Sequence, residues 1–189
     1  MLSVPARTMA THYDRPFELR GVHHLALVCR DMARTVDFYT KVLGMPLVKT
    51  IELPGGLGQH FFFDCGGGDQ LAFFWFADAP EPAPGIAAPT VRPDQGDARS
   101  AMGSMNHVAF SVPPEKIDDY RERLRTAGVA CSDVINHDDS PMGVSFDLNE
   151  GVFVRSIYFQ DPDGILLEFA CWTRELTAAD VSHEPARAR

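Results

Sequence analysis

Hydrophobic and polar residues alternate with a period of two in two similar stretches of the chain. Residues 24–28 read HLALV and residues 107–112 read HVAFSV. Alternation rich in Val, Leu and Phe indicates a strand with one buried face. Each stretch is followed by apolar residues at helical spacing, which stop at Gly44 in the first case and at Gly128 in the second. The pattern therefore predicts a strand followed by a helix, twice.

The two halves also end alike, with a strand, a glycine-containing turn and another strand. Residues 61–74 align without a gap with residues 157–170, at an offset of 96 positions. One more strand is predicted in each half, at about 46–53 and at about 130–136. A single β-α-β-β-β unit cannot cover both faces of its own sheet. We therefore predict an α+β fold in which two paired βαβββ modules form a curved eight-stranded sheet around a cleft, with the helices outside.

These elements predict one domain with two tails. Residues 77–104 hold five of the fourteen prolines and show no sustained periodicity, which is typical of an irregular connection. The predicted domain covers residues 21–172, with module one at 21–76, the connection at 77–104 and module two at 105–172, and the tails are residues 1–20 and 173–189.

Composition and charge narrow the class of protein. The chain has 189 residues, 45% of them hydrophobic, and a net charge of −9. An acidic chain has no electrostatic attraction to nucleic acid or anionic lipid, and its apolar runs fall far short of the ~20 residues that cross a bilayer. The four cysteines are far apart and form no CxxC pair, which excludes a zinc finger. We expect a cytoplasmic protein that binds a small molecule, and neither nucleic acid nor a membrane.

Strand alternation places three candidate metal ligands in the cleft. His24, His107 and Glu168 each fall on the side of their strand that cannot pack on a helix. Two imidazoles and a carboxylate form the three-ligand face of non-haem Fe(II) and of some Zn and Mn sites. At the offset of 96 positions, Glu168 corresponds to Ala72, which cannot bind a metal. The predicted site therefore keeps open coordination positions, as a catalytic metal requires.

The same residues lie in motifs that resemble a known family. The motifs are residues 24–31, 37–45, 106–110 and 157–168, the last with an Asp-Pro-Asp-Gly turn followed by Glu. On these motifs the chain resembles the vicinal oxygen chelate superfamily, also called the glyoxalase/bleomycin-resistance/dioxygenase superfamily. The resemblance implies paired βαβββ modules and a divalent metal held by His24, His107 and Glu168. Fe(II) or Mn(II) is the favoured metal, with Zn, Ni or Co as alternatives.

Within the superfamily, the predicted cleft favours an extradiol-type ring-cleaving dioxygenase that acts on an apolar aromatic diol. Tyr158 stands ten residues before Glu168, the spacing at which the resemblance implies a catalytic tyrosine. Its phenol could form a hydrogen bond with a catecholate oxygen. The candidate substrate contacts are Phe74, Phe76, His60 and Arg155.

The chain departs from the extradiol pattern in its acid–base residues. Extradiol enzymes carry a histidine shortly before this tyrosine, where the chain has Asn149, Glu150 and Gly151. They carry another shortly before the second metal histidine, whereas the segment 77–104 contains none. His137 is expected in an exposed turn.

Two other classes of function stay open. The ligand set also fits fosfomycin transferases, and a metal-dependent lyase or isomerase of the glyoxalase or epimerase type is the first alternative. A non-enzymatic protein that sequesters a drug-like molecule is the second, although such a binder needs no metal ligands. A homodimer is a further expectation, since a second chain could cover the apolar outer face.

Overall fold

The computed structural model of the protein describes residues 21–81, 92–96, 100–181 and 183–186. The predicted N-terminal tail and part of the predicted connection lie outside these residues. The strands are β1 (His24–Val28), β2 (Leu47–Leu53), β3 (Gly58–Gly66), β4 (Asp69–Phe76), β5 (Val108–Ser111), β6 (Ile135–Asp138), β7 (Val144–Ser145), β8 (Val152–Gln160) and β9 (Leu166–Trp172). The helices are α1 (Met32–Asp37), which continues as a π-helical turn over Phe38–Val42, and α2 (Ile117–Thr126), with 3₁₀ turns at Pro54–Gly56, Pro114–Lys116 and Ala178–Asp180. None of the helices in this described part of the chain is long and apolar enough to span a membrane.

The strands form two sheets with the same internal order. Module one has the order β1-β4-β3-β2, and module two has the order β5-β9-β8-β6 with β7 at its edge. In each module the first strand runs parallel to the last, and the other neighbours are antiparallel. Ala26 pairs with Ala72 in module one, as Ala109 pairs with Glu168 in module two. The predicted α+β fold with a repeated βαβββ module is therefore confirmed.

Two details differ from the expectation. The strands are divided between a four-stranded and a five-stranded sheet, and the additional strand is the short hairpin partner β7. Strand β6 begins at Ile135 and not near residue 130. The chain already meets β8 before this point, because the Ser132 N–H donates to the carbonyl oxygen of Tyr158 at 2.8 Å, the Ser132 Oγ accepts from the Tyr158 N–H at 2.9 Å, and Cys131 forms an isolated bridge with Phe159. The pairing register then shifts by one residue before Ile135 pairs with Ser156, so the continuous strand begins later than its apolar pattern suggests.

Exposure alternates along the first strand of each module as predicted. In β1, Leu25 and Leu27 pack against the hydrophobic core, whereas His24 is exposed. In β5, Val108 and Phe110 pack against the same core. We call the opposite face of each sheet, which does not pack on this core, the inner face.

A buried hydrogen bond joins the two modules. Tyr39, just after α1, is fully buried, and its hydroxyl donates a hydrogen bond of 3.2 Å to Asp161 Oδ2 in the turn after β8. Asp161 also accepts hydrogen bonds from the backbone N–H groups of Asp163 and Ile165, at 2.9 and 2.8 Å. Burial nevertheless raises the pKa of Asp161 to about 6. This contact ties the helix of module one to the turn of module two.

Tyr39→Phe should lower the free energy of unfolding by about 0.5–1.5 kcal/mol, the usual net contribution of one buried hydrogen bond. The loss should be larger at pH 8 than at pH 5, because the hydroxyl stabilises the ionised form of Asp161, which becomes protonated as the pH falls below about 6. Urea unfolding at both pH values measures the effect. Tyr120→Phe is the matched control, since that ring packs on Phe169 of the same core. Equal losses in the two variants would contradict a specific role for the Tyr39 hydroxyl.

Candidate metal-binding site

The inner face of module two carries a buried carboxylate. Glu168 lies in β9, opposite Ala109 of β5 and Tyr158 of β8, and it is only 5% exposed. Burial by itself raises the pKa of this carboxyl, but the contact with His107, together with the nearby Ser156 and Tyr158 hydroxyls, outweighs burial and lowers it. Glu168 is therefore held as an anion on an otherwise open sheet face.

His107 is the direct partner of this carboxylate. Its Nε2 lies 2.9 Å from Glu168 Oε2, and its Nδ1 lies 2.7 Å from Asn106 Oδ1. The amide oxygen of Asn106 can only accept, so Nδ1 carries the proton in this contact. A histidine that ligates a metal usually donates its other ring N–H to an oxygen in this way. The pair thus has the chemistry and the orientation of two metal ligands.

Tyr158 lies beside this pair. Its ring meets the His107 ring edge to face, with centroids 5.9 Å apart, and its hydroxyl oxygen lies 3.3 Å from His137 Nε2. Burial and the charge of Glu168 raise the pKa of Tyr158 to about 12. The phenol is therefore neutral at physiological pH and acts by hydrogen bonding.

His137 was expected in an exposed turn, and this prediction is wrong. It lies in β6, half-buried, and pairs with Val154. Residues 154 and 158 have the same parity along β8, so the His137 ring shares the inner face with Tyr158 and Glu168. The pairing register of β6 with β8 would have placed His137 on this face. Strand β6 has only four residues, which are too few to indicate that register in the sequence.

The inner face of module one is aromatic. His24 begins β1 and contacts Phe62, with ring centroids 5.7 Å apart. The ring of His60 stacks on Phe74 at 3.6 Å, and Phe74 in turn stacks on Phe76 at 5.3 Å. Burial, together with the nearby His24, lowers the pKa of His60, and its buried Nε2 has no hydrogen-bond partner among the described residues. Four of the predicted site residues therefore share one surface.

The structure brings together two of the three predicted ligands. His107 and Glu168 meet in module two, but His24 belongs to the other sheet. Within the described parts of the chain, no group of three or more His, Cys, Asp or Glu side chains could hold a metal. The expectation that one chain assembles all three ligands in a single cleft is thus corrected. The two sheets share a core on their opposite faces, which leaves His24 exposed.

Arg155 faces away from this site. Its guanidinium forms an ion pair of 3.2 Å with Asp118 of α2 and donates a hydrogen bond to Asn136 Oδ1. In β8, residue 155 has the opposite parity to Tyr158, so the side chain points to the helix side of the sheet. We therefore remove Arg155 from the candidate substrate contacts.

One cavity lies away from this site. It has a volume of about 540 Å³ and is lined by residues of both modules, such as Met45, Phe110, Tyr120 and Phe169. Phe110 and Phe169 pack on the core side of their strands, so this cavity is not adjacent to the Glu168 carboxylate. The carboxylate and this cavity are thus on opposite sides of the sheet of module two.

The repeated modules agree with a comparison with known families. The model of the Glyoxalase/Bleomycin resistance protein/Dioxygenase superfamily matches residues 21–169. The chain belongs to this superfamily. Its fold is also that of a solved superfamily structure, the glyoxalase family protein from Enterococcus faecalis, with a TM-score of 0.57, 23% identity and coverage of 82% of this chain and 99% of that chain.

Two sequence relatives within the superfamily have different names. "Putative ring-cleaving dioxygenase MhqE" of Bacillus subtilis (strain 168) is 31% identical over 114 residues, which cover 58% of this chain and 32% of that protein. The chain thus spans about a third of the length of this relative. "Metallothiol transferase FosB" of Shouchella clausii (strain KSM-K16) is 29% identical over 150 residues, which cover 79% of each protein. Membership in the superfamily therefore establishes the fold. The type of reaction has to be argued from the residues of the site.

Proposed function

We propose that this superfamily member is a divalent-metal-dependent, extradiol-type ring-cleaving dioxygenase that acts on an apolar aromatic diol. The observation that carries the proposal is the buried His107–Glu168 pair at 2.9 Å, with a neutral phenol beside it. The name of the MhqE relative supports the choice of ring cleavage. The catalytic residue in this proposal is Tyr158.

The residues present fit a metal. Glu168 is anionic and buried, and His107 has its Nδ1 occupied by Asn106, so a cation could take the place of the proton on Nε2. Two imidazoles with one carboxylate favour Fe(II) or Mn(II), while Zn, Ni and Co also accept imidazole. When bound, such an ion supplies Lewis acidity to the adjacent oxygens of a diol. Tyr158 then orients the diol by hydrogen bonding.

The third ligand in this proposal is His24 of a second copy of the chain. Each chain carries one inner face with His107 and Glu168 and another with His24, and both faces include exposed residues. A two-fold symmetric dimer can place module one of each copy against module two of the other, which gives two identical, complete sites. The same contact would cover apolar side chains of module one such as Val28 and Ile51, which are 51% and 36% exposed.

Apolar walls in the assembled cleft suit an aromatic ring. Module one contributes Phe74, Phe76 and His60, the stacked group described above. Module two contributes Trp172, which pairs with Val154 on the inner face and is 56% exposed. Because Arg155 is paired with Asp118 on the far side of the sheet, it offers no charge to an anionic substrate. The cleft thus favours a neutral aromatic diol over a phosphonate.

Removing any of the proposed ligands should remove the metal while the protein stays folded. Glu168→Ala, His107→Ala and His24→Ala should each reduce the metal content of Fe(II)- or Mn(II)-loaded protein to near background. His23→Ala removes only a neighbour of His24, with the two Nδ1 atoms 2.8 Å apart, and should keep more metal than His24→Ala, while His183→Ala in the C-terminal tail is the control. Elemental analysis after anaerobic loading measures metal, and circular dichroism verifies folding. A wild-type protein that binds no divalent metal at micromolar concentration would overturn the proposed function.

A mixed dimer tests where the third ligand comes from. Chains with His24→Ala and chains with Glu168→Ala, co-expressed with different tags and purified as the heterodimer, should bind one metal per dimer. One of the two sites then has all its ligands intact, and the other lacks two. Either homodimer should bind none. If all three ligands came from one chain, every chain of the heterodimer would lack a ligand, and the mixed dimer would be as empty as its parents.

Ring cleavage is measured as oxygen uptake by the Fe(II)-loaded protein with a panel of bulky catechols. Tyr158→Phe removes only the hydroxyl, so metal content should be unchanged while turnover falls by about 10²–10⁴, the usual size of acid–base or orienting contributions. Absence of uptake with every catechol would overturn the dioxygenase assignment. Turnover of a hemithioacetal or a 2-methyl thioester would then indicate the lyase or isomerase alternative, and thiol consumption with fosfomycin would indicate a transferase.

A further inference from the structure

His137 and Tyr158 form a hydrogen-bonded pair on the inner face of module two. His137 Nε2 lies 3.3 Å from the Tyr158 hydroxyl oxygen, and the rings meet edge to face with centroids 6.3 Å apart. Both side chains project from paired strands, since His137 pairs with Val154 in β8. The pair is thus built into the sheet, on the face that carries Glu168.

The direction of this hydrogen bond depends on the tautomer of His137, and the surroundings of the second ring nitrogen favour one tautomer. Burial lowers the pKa of His137, opposed by the Glu168 charge and by a hydrogen bond between the ring and the backbone of Gly143. A backbone contact that favours the protonated ring is one in which the ring donates to the carbonyl. Since Nε2 faces Tyr158, the donor to Gly143 is Nδ1. In the neutral ring Nε2 then has no hydrogen and can only accept.

The Tyr158 hydroxyl therefore has two acceptors for its one hydrogen. One is His137 Nε2, and the other is the Glu168 carboxylate, whose pKa is lowered in part by this phenol. In the proposed function, which this step assumes, the Glu168 oxygens hold a metal. The hydroxyl hydrogen is then left to His137, and the phenol oxygen, next to Ser156, keeps a lone pair with which it can accept a hydrogen bond from a ligand.

We propose that His137 is the positioning residue of Tyr158, and that it takes the hydroxyl hydrogen so that the phenol oxygen accepts a hydrogen bond from a substrate hydroxyl. The Tyr158 hydroxyl thus contacts the diol as a hydrogen-bond acceptor and not as a donor. The site would select a ligand that still carries a hydrogen on the oxygen next to Tyr158. A methyl ether at that oxygen cannot make the contact.

The tautomer of His137 tests the direction of the bond independently of activity. Nitrogen-15 NMR of the histidine rings, assigned by comparison with His137→Gln, should show hydrogen on Nδ1 in both metal-free and Zn(II)-loaded protein. Hydrogen on Nε2 in either form would overturn the proposal, because His137 would then donate to the phenol. If the protein binds neither Zn(II) nor another divalent metal, the proposed function is overturned. The spectrum of the metal-free protein would still decide the direction of this hydrogen bond.

Binding of 4-nitrocatechol to the oxygen-free, Mn(II)-loaded protein tests the consequence. His137→Phe should weaken this binding about 3- to 10-fold, the effect of losing one oriented hydrogen bond, with metal content unchanged. His137→Gln, whose side-chain oxygen can replace the Nε2 acceptor, should restore most of the affinity. Binding of 4-nitroanisole, which has no hydroxyl, is the control and should change little.

A double variant separates positioning from a general structural role. In the Tyr158→Phe background, His137→Phe should cause no additional loss of 4-nitrocatechol affinity, because the hydroxyl through which His137 acts is gone. An undiminished loss in that background would overturn the proposal. So would equal weakening of the two probes by His137→Phe.

Discussion

The carboxylate of Glu168 is buried on the inner face of module two, with only 5% of the residue exposed. A buried anion without partners costs several kcal/mol, so the surroundings of this side chain must supply hydrogen atoms or positive charge. His107 does so at 2.9 Å, and Asn106 holds the other side of that ring. Tyr158 lies beside the carboxylate and helps to lower its pKa, and the Tyr158 hydroxyl oxygen lies 3.3 Å from His137 Nε2. The polar side chains of His107, Tyr158 and His137 are thus grouped around this one buried carboxylate.

The two modules share one fold but differ in the chemistry of their inner faces. Ala72 and Glu168 occupy equivalent places in sheets of the same order, yet one is the smallest apolar side chain and the other an anion. Around Ala72 the inner face has stacked aromatic rings, and around Glu168 it has partners for a charge. In the proposed function, module one therefore contacts an apolar ring, and module two holds a cation and the polar end of the ligand.

The period-two pattern of the sequence was enough to predict the fold and to predict which residues of β1 and β5 are buried. It placed Leu25 and Leu27 in the core and His24 on the opposite face, because a strand buries alternate residues. The same parity rule turns Arg155 away from Tyr158, a consequence that follows from the sequence alone once β8 is recognised. The position of His137 could not be predicted in this way, because the pairing with β8 shifts by one residue between the Cys131–Phe159 bridge and the Ile135–Ser156 pair. The same pattern could not predict that His24 lies apart from Glu168. Alternation shows which face of a strand is buried, but it does not show how two modules pack on each other.

The packing of the two modules is decided by buried contacts on the core side of each sheet. The bond from Tyr39 to Asp161 and the shared core use the faces of the sheets opposite to the ligands. An arrangement that joins the modules through their core sides leaves both inner faces available, one with the proposed ligand His24 and one with the proposed ligands His107 and Glu168. In the proposed dimer these two sets of ligands are complementary, because one two-fold contact would complete two sites and cover both inner faces at once.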